Sequence, residues 1–243
     1  MQNKVRTPVK YFIIIILFAA SVSNAQFNEK RFSIGLNGAY TTTAEIFLNP
    51  NSSDPILRNN AFEISDIFSS AAEIRYRLTE AIIIGLGTEY MKATAQGPNL
   101  TAFIGNSTVT INVTDGFLLI PLEISGYYIL PFSTEKFKFL MGGGFGYYYG
   151  KHIREFGDAS VSAVSREFAY GIQVSVSMDY LLFENLAVHS AMKFRDPQFK
   201  LQSAYNKLEV NYNNQKVILA QSTFDSKIDV NGVTFILGFS YLF

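Results

Sequence analysis

The last ten residues of the chain alternate between large apolar side chains and small or polar ones. A period of two residues is the period of a β-strand, because successive side chains of a strand point to opposite faces. A soluble domain rarely leaves so apolar a strand as a free end, whereas a closed transmembrane barrel needs one to pair with its first strand. One face of this terminal strand carries Phe235, Leu237, Phe239, Tyr241 and Phe243.

Seven further segments show the same alternation. Their outward faces are apolar, and their opposite faces are small or charged. This pattern is typical of a membrane barrel, and a soluble ligand-binding barrel shows the reverse. Aromatic residues gather at the segment ends, as the interfacial girdles of a membrane barrel require. We therefore predict an all-β fold, a transmembrane eight-stranded antiparallel up-and-down β-barrel, with strands at about 31–40, 70–79, 81–92, 116–130, 137–149, 166–180, 186–196 and 230–243.

The connections between these segments alternate in length. Three are short, at 78–80, 131–136 and 181–185. Short turns at one rim and long loops at the other are typical of outer-membrane barrels, whose long loops are extracellular. Pro121 interrupts the pattern, because proline cannot donate to a strand ladder and a closed barrel has no edge, so we expect a bulge or a break there. The long loops are predicted at about 41–69, 93–115, 150–165 and 197–229.

The N-terminus has the features of a secretory signal peptide. Three basic residues precede the apolar run from Tyr11 to Ala20, which at ten residues is too short to cross a bilayer as a helix. The small residues Ser23 and Ala25 mark a cleavage site. We therefore predict a cleaved signal peptide at 1–25 and a single outer-membrane β-barrel domain at 26–243, located in the bacterial outer membrane.

The composition excludes several functions. The predicted mature chain carries 17 Lys and Arg against 20 Asp and Glu, so its net charge of −3 offers no basic surface for nucleic acid. The chain has no cysteine, which excludes disulfides, thiolate metal sites and thiol catalysis. The glycine run at 142–146 lies within a predicted strand and precedes no helix, so it is not a nucleotide-binding loop. We therefore predict no cofactor.

On these features the chain resembles the eight-stranded outer-membrane β-barrel family, the group of small porins and OmpA-like transmembrane domains. The resemblance covers residues 31–243 at the level of pattern, and Leu119-Ile-Pro-Leu-Glu-Ile124 is similar to a recurrent element of barrels from the Bacteroidota. We expect a monomer surrounded by outer-membrane lipid. The resemblance also implies that the barrel-assembly machinery reads the terminal strand as a signal during insertion, through Leu237, Phe239, Tyr241 and Phe243.

Charged side chains fall on the inward faces of the predicted strands. An eight-stranded barrel is just wide enough for its own side chains, and an unpaired charge there costs several kcal/mol, so we expect pairing across the lumen. Two interpretations remain open: a polar plug that fixes the geometry of the barrel, and a narrow gated passage beside the inward glycines of segments 81–92 and 137–149. The predicted lumen charge network consists of Glu73, Arg75, Arg77, Glu89, Glu123, Lys138, Glu167, Asp179, His189, Lys193 and Arg195.

His189 and Ser190 raise the question of catalysis, because some outer-membrane lipid hydrolases and acyltransferases use Ser and His on barrel strands. Adjacent strand residues point to opposite faces, so these two cannot form a nucleophile and base pair. His152 lies in a predicted loop beside Lys151 and Arg154, and these cations disfavour a metal site. We therefore predict no enzyme activity and no metal site.

The long loops are the last candidate, since binding residues often lie on loops that a rigid scaffold positions. Residues 101–114 and 205–228 alternate moderately and are expected to extend the hairpins beyond the membrane, and no motif names a ligand. The leading hypothesis is a structural or surface-interaction protein that binds an unknown surface ligand through its long loops. The alternatives are a narrow porin-like channel or transporter for small solutes and, third, a lipid-modifying outer-membrane enzyme.

Overall fold

The computed structural model describes residues 30–97, 100–105 and 107–243, which form fifteen strands and one short helix. The predicted signal peptide at 1–25 lies outside these residues. Within them, no helix is long and apolar enough to cross a membrane. The strands are β1 Phe32–Phe47, β2 Ala61–Arg77, β3 Ile82–Gln96, β4 Leu100–Ile104, β5 Ser107–Ile111, β6 Thr114–Ile129, β7 Phe137–Phe156, β8 Ala159–Arg166, β9 Ala169–Phe183, β10 Leu186–Arg195, β11 Gln198–Tyr205, β12 Glu209–Tyr212, β13 Gln215–Leu219, β14 Thr223–Asp229 and β15 Val233–Leu242, and the helix is α1 Pro55–Arg58.

Eight of the strands pair edge to edge into a closed ring. Each is antiparallel to both neighbours, in the order β1, β2, β3, β6, β7, β9, β10, β15 and back to β1. The terminal strand closes the ring, since β15 pairs with β1 from Leu242 opposite Ser33 to Thr234 opposite Thr41. The predicted eight-stranded antiparallel barrel, with its last strand paired to its first, is therefore confirmed.

The outer face of the ring is apolar, as the alternation predicts. Large side chains such as Leu36, Phe145 and Tyr170 are exposed there, on strands whose other face is buried. Exposed apolar surface on this scale indicates that lipid covers it, and we call it the lipid-facing band. Rings stack at one border of the band, where Phe32 lies 4.7 Å from Tyr76 and 5.9 Å from Phe243 between ring centres. That border is the short-turn end, and the opposite border is the long-loop end.

The long connections are far more regular than predicted. The predicted loops at 41–69, 93–115, 150–165 and 197–229 consist mostly of strands, because their own alternation lets them bury apolar side chains. At the long-loop end, β4, β5, β12 and β13 form a separate four-stranded sheet in the order β12, β13, β4, β5. This sheet, here called the cap, packs over a hydrophobic cluster that includes Val113, Phe156, Val210 and Val217.

Beyond the lipid-facing band, β8, β11 and β14 take the places of β9, β10 and β15 in the wall. β7 passes to β8 with Glu155 opposite Ser160, β8 pairs with β11, and β11 pairs with β14. β14 returns to β1 with Asp229 opposite Glu45. The barrel therefore has two levels, one within the lipid-facing band and one above it at the long-loop end.

The inside of the upper level is mostly apolar, unlike the polar interior that was predicted for the eight barrel strands. On β1 both Thr41 and Ala44 are buried, and on β2 both Ile64 and Ile67 are, although a regular strand would place residues three apart on opposite faces. Asp66, with a φ of +57°, lies between Ile64 and Ile67, where the alternation of inward and outward side chains on β2 shifts by one residue. Water replaces lipid outside the barrel at this height, so the apolar side chains turn inward.

Pro121 does not break β6. The register on β3 is the same on both sides of it, with Thr88 opposite Leu122 and Met91 opposite Leu119. The ladder lapses only between these pairs, and the Thr88 hydroxyl donates to the Pro121 carbonyl at 2.8 Å. The expected bulge or break is thus a two-residue gap in one ladder, which accommodates a residue without an N–H donor.

Candidate functional site

Arg75 on β2 is the centre of a buried ion cluster near the short-turn end of the lumen. Its guanidinium donates to Glu73 Oε2 at 2.7 Å and to Asp179 Oδ2 at 3.1 Å. Arg75 Nη2 also lies 3.2 Å from His189 Nε2, and His189 Nδ1 lies 2.6 Å from Asp179 Oδ1. Because a guanidinium only donates, Nε2 accepts and the imidazole proton is assigned to Nδ1. His189 in this tautomer donates to Asp179 and links it to Arg75.

A second ion cluster lies further along the lumen, still within the lipid-facing band. Glu123 accepts from Lys193 Nζ at 2.6 Å and from Arg195 Nη1 at 3.3 Å. Arg195 Nη2 lies 2.8 Å from Glu89 Oε2, and Ser69 donates to Glu89 Oε1 at 2.5 Å. Glu89, Glu123 and Arg195 are all buried. The shared guanidinium offsets the desolvation of two carboxylates that would otherwise be costly inside the barrel.

Inward glycines make room for the groups around the first cluster. A Cβ at Gly85 would lie 2.6 Å from Glu73 Oε1 and 3.0 Å from the ring of Tyr127. Tyr127 uses that space to donate to Glu73 Oε1 at 2.6 Å, and its ring centre lies 4.9 Å from the Arg75 guanidinium. The glycines therefore admit side chains from neighbouring strands into the narrow lumen.

Nine of the eleven predicted lumen charges face the lumen, namely Glu73, Arg75, Glu89, Glu123, Lys138, Asp179, His189, Lys193 and Arg195. Arg77 lies at the short-turn rim, where its guanidinium donates to the carbonyls of Thr79 and Glu80. Glu167 was predicted to face the lumen but is exposed, because it lies in the link between β8, which ends at Arg166, and β9, which begins at Ala169.

Apolar side chains close the lumen above the second ion cluster. The inward residues of β6 change from Glu123 to Leu119 and Phe117, and the last two have no exposed surface. Met91 and Ile228 are equally buried in the same cluster. A cavity of about 30 Å³ remains beside Glu123 and Lys193 below this layer, which is room for about two water molecules.

A second histidine is buried beyond the apolar layer, where the sequence predicted a loop. His152 on β7 contacts Asp115 Oδ1 through Nε2, and its Nδ1 lies 2.9 Å from Ser226 Oγ. Arg154 Nη2 lies 3.3 Å from the other oxygen of Asp115. Ser, His and Asp in series are the components of a catalytic triad, but Ser226 and Asp115 have no exposed surface for a substrate to reach. The arrangement therefore ties β6, β7 and β14 together inside the upper level.

The predicted separation of His189 and Ser190 is confirmed. His189 is opposite Asp179 on the lumen face of β10, and Ser190 is opposite Met178 on the other face. Across residues 30–97, 100–105 and 107–243, no three His, Asp or Glu side chains are grouped so that they could hold a metal ion. Each histidine has an Asp and an Arg in its immediate surroundings instead.

A hydrogen-bonded clamp attaches the turn between β7 and β8 to the cap. Asp158 Oδ1 accepts from the Asn211 N–H at 2.9 Å, and Asp158 Oδ2 accepts from Lys207 Nζ at 2.6 Å. These two bonds hold the pKa of Asp158 below its ordinary value of 3.8, and the bond from Lys207 has the larger effect. The long connections are thus fastened to one another as well as to the barrel.

The closed ring, the lipid-facing band and the filled lumen together define an eight-stranded outer-membrane β-barrel. No protein-family model and no curated protein matches the sequence.

Several solved structures are similar to this chain. The crystal structure of the outer membrane protein OprG from Pseudomonas aeruginosa is similar with a TM-score of 0.58 at 15% sequence identity, over 88% of this chain and 96% of that one. The NMR structure of outer membrane protein AlkL in DMPC lipid bilayers has a TM-score of 0.49 at 14% identity, over 91% and 94%. Ail, the attachment invasion locus protein of Yersinia pestis, has a TM-score of 0.47 at 9% identity, over 88% and 99%. At this identity the likeness to OprG concerns the fold alone.

Proposed function

We propose that this protein is a non-conducting outer-membrane barrel that holds a surface-interaction platform, the cap, at its long-loop end. The observation that carries the proposal is the filled lumen. Two ion clusters occupy the level within the lipid-facing band, and the apolar layer around Phe117 and Leu119 lies above them. A hydrated ion crossing this path would have to break buried ion pairs and then enter a dry apolar layer.

The structure of the cap supports the same proposal. The cap has its own hydrophobic cluster, and the clamp at Asp158 attaches it to the barrel, so its outer surface is held in one shape. Phe103 and Ile218 lie opposite each other on that outer surface and are exposed. Residues 93–114 contain no charged side chain, which is unusual for a surface hairpin and suits a partner recognised by shape and hydrogen bonds.

Conductance of the purified protein in planar bilayers tests the closed lumen. We expect no steady conductance from the wild type. Steady, solute-dependent conductance would overturn the proposal, and Lys193→Gln and Arg75→Gln would then show whether the lumen charges set the selectivity. Changes of stability alone in these variants would count against a channel.

Binding assays test the platform. Protein in nanodiscs would be applied to host cells and to extracellular matrix, and we expect binding that Phe103→Ser together with Ile218→Ser reduces. Thr108→Ser, on the strand next to Phe103, is the matched control because it keeps a hydroxyl at an exposed position. Equal binding by the wild type, the Phe103 and Ile218 double variant and the Thr108→Ser control would contradict a role for this surface.

A narrow channel for small solutes is the second candidate, and one observation favours it. The cavity beside Glu123 and Lys193 shows that the lumen is not filled completely at the level of the ion clusters. A passage would still require the apolar layer to move aside. The conductance experiment separates the two candidates, because only the channel predicts a current that changes with the lumen charges.

A further inference from the structure

We propose that the outer face of β3, β6 and β7 binds phosphate groups of a membrane lipid at the long-loop border of the lipid-facing band. Lys92, Leu118 and Lys151 form one row across these strands, with Lys92 opposite Leu118 and Leu118 opposite Lys151. Both lysines are exposed. Two strand spacings separate them by roughly 10 Å, a distance that one phosphorylated headgroup can span.

The row lies where apolar surface gives way to charge. Tyr90 on β3 and Tyr149 on β7 are exposed on the same outer face. Each lies two residues closer to the short-turn end than the lysine of its strand. Tyrosines at this height are typical of the membrane interface, where lipid headgroups begin. The lysines are thus placed at headgroup level, with the apolar floor of Leu118 between them continuous with the lipid-facing band.

A groove is present at this place because the wall of the barrel changes partners here. β9 pairs with β7 only as far as Tyr148, and β8 joins β7 only at Glu155. The edge of β7 between them borders a groove of about 380 Å³ whose lining includes Tyr90, Lys92 and Lys151. The site is therefore concave, which favours one bound headgroup over a diffuse layer.

The charges around the groove favour an anion. Arg166 lies over the Tyr149 ring at 4.5 Å from its centre and adds a third cation to this outer face. In the part of the chain that the structure describes, no ion pair joins Lys92, Lys151 or Arg166 to a carboxylate, although Glu155 also lines the groove. Lysine ammonium groups bind phosphate oxygens as compact point charges.

Acidic residues lie at the same border on either side of this face, on β2 next to β3 and at the end of β10. Asp66 lies two residues from Phe68 on β2, toward the long-loop end. Asp196 lies two residues from Phe194, just beyond the end of β10. A uniform belt of cations would indicate general attraction to a charged leaflet. Cations on β3 and β7, bordered by acids on β2 and after β10, indicate a localised site.

The test measures binding of lipid A, a phosphorylated glycolipid, to the full-length folded protein in detergent by native mass spectrometry. We expect Lys92→Gln with Lys151→Gln to lower the affinity by about tenfold, because two charge-assisted contacts are lost. The matched control is Arg31→Gln with Lys136→Gln, which removes two exposed positive charges at the short-turn end. The control should bind like the wild type, and all three proteins should keep the heat-dependent gel mobility of a folded barrel.

Three results would overturn the proposal. The first is wild-type affinity in the Lys92 and Lys151 variant, and the second is an equal loss in the control, which would indicate bulk charge. The third is equal binding of dephosphorylated lipid A by the wild type. Inorganic phosphate at the same concentration should not displace the lipid, and displacement would contradict the assignment to a lipid phosphate. The test does not involve conductance or the cap, so its outcome is independent of the proposed function.

Discussion

Arg195 holds two carboxylates from different strands at the centre of the barrel. It is the only cation within 4.0 Å of Glu89 among the described residues, and it shares Glu123 with Lys193. Glu89 and Glu123 come from β3 and β6, and Arg195 ends β10 on the far side of the lumen. Such a buried cation matters for stability mainly because its removal would leave buried carboxylates without a partner of opposite charge.

Replacement of Arg195 by Met tests this dependence. We expect Arg195→Met to lower the free energy of unfolding by about 3–5 kcal/mol, because Glu89 keeps its burial and loses its cation. The measurement is urea unfolding of the protein in lipid vesicles, followed by circular dichroism.

The control for this prediction is the double variant Arg195→Met with Glu89→Gln. Neutralising Glu89 removes the uncompensated charge, so the double variant should regain part of the lost stability. A double variant as unstable as the sum of the two single changes would mean that the pair is not coupled.

At the scale of elements, β6 shows how one strand sets the order of the layers. Its inward side chains run from Tyr127 and Glu123 in the ion clusters, through Phe117 in the apolar layer, to Asp115 beside His152. Because inward positions recur every second residue, the order along the strand becomes the order of layers along the barrel axis. The strand itself supplies only one wall of each layer, and its partners come from distant parts of the chain.

The clamp between the cap and the turn after β7 predicts a pH dependence. Its hydrogen bonds hold the pKa of Asp158 below the ordinary value of 3.8, so folded Asp158 binds fewer protons than unfolded Asp158. Its contribution to stability is therefore present above the unfolded pKa and is lost as the pH falls through the folded pKa. We expect the protection factor of the Asn211 amide against hydrogen exchange to fall below about pH 4, while protection in the barrel strands stays high.

Asp158→Asn is the control for the clamp. It keeps an acceptor for the Asn211 N–H but cannot titrate, so protection at Asn211 should no longer depend on pH in this range. An unchanged pH profile in the variant would assign the effect to another group.

At the scale of the whole molecule, the two levels of the barrel obey opposite rules. In the lipid-facing band the apolar side chains point outward and the ion clusters fill the inside, whereas in the upper level the apolar side chains point inward. Both arrangements follow from one requirement, that apolar surface avoid water. Lipid lies outside the first level and water outside the second. Between the levels, β1 and β2 shift their alternation by one residue, whereas β6 keeps its inward positions and changes the residues that occupy them from charged to apolar.

Assembly of the barrel gives a prediction at the same scale. The face proposed as the assembly signal, at Leu237, Phe239, Tyr241 and Phe243, is exposed on the closing strand. We expect Tyr241→Ala with Phe243→Ala to lower the yield of membrane-inserted protein in cells severalfold, while unassisted folding in detergent changes little. Inserted protein is measured by heat-dependent gel mobility of outer-membrane fractions.

Phe145→Ala is the matched control for assembly, because it removes an exposed aromatic ring from the lipid-facing band away from the closing strand. It should leave insertion in cells unchanged. Equal losses in both variants, or a loss that detergent folding reproduces, would contradict a signal specific to the terminal strand.

The buried histidine at 152 shows what sequence pattern could have revealed and why it did not. His152 and Arg154 continue the inward parity that Gly146 and Tyr148 set on β7, so their lumen orientation was readable from the alternation. The prediction ended the strand at residue 149, because polar residues after an apolar run are typical of a loop. Their contacts with Asp115 and Ser226 could not be predicted, since those residues are distant in sequence.

The sequence by itself determined the eight barrel strands, the faces they turn to lipid, the closure of the last strand on the first, and nine of the eleven lumen charges. These follow from a period of two residues, which is a local property of each strand. Only the tertiary structure decided which charges pair, that an apolar layer closes the lumen, that the long connections form a cap, and that Lys92 and Lys151 share one row. Those features depend on which residues of distant strands lie opposite each other, and alternation within a strand fixes its faces without naming those partners.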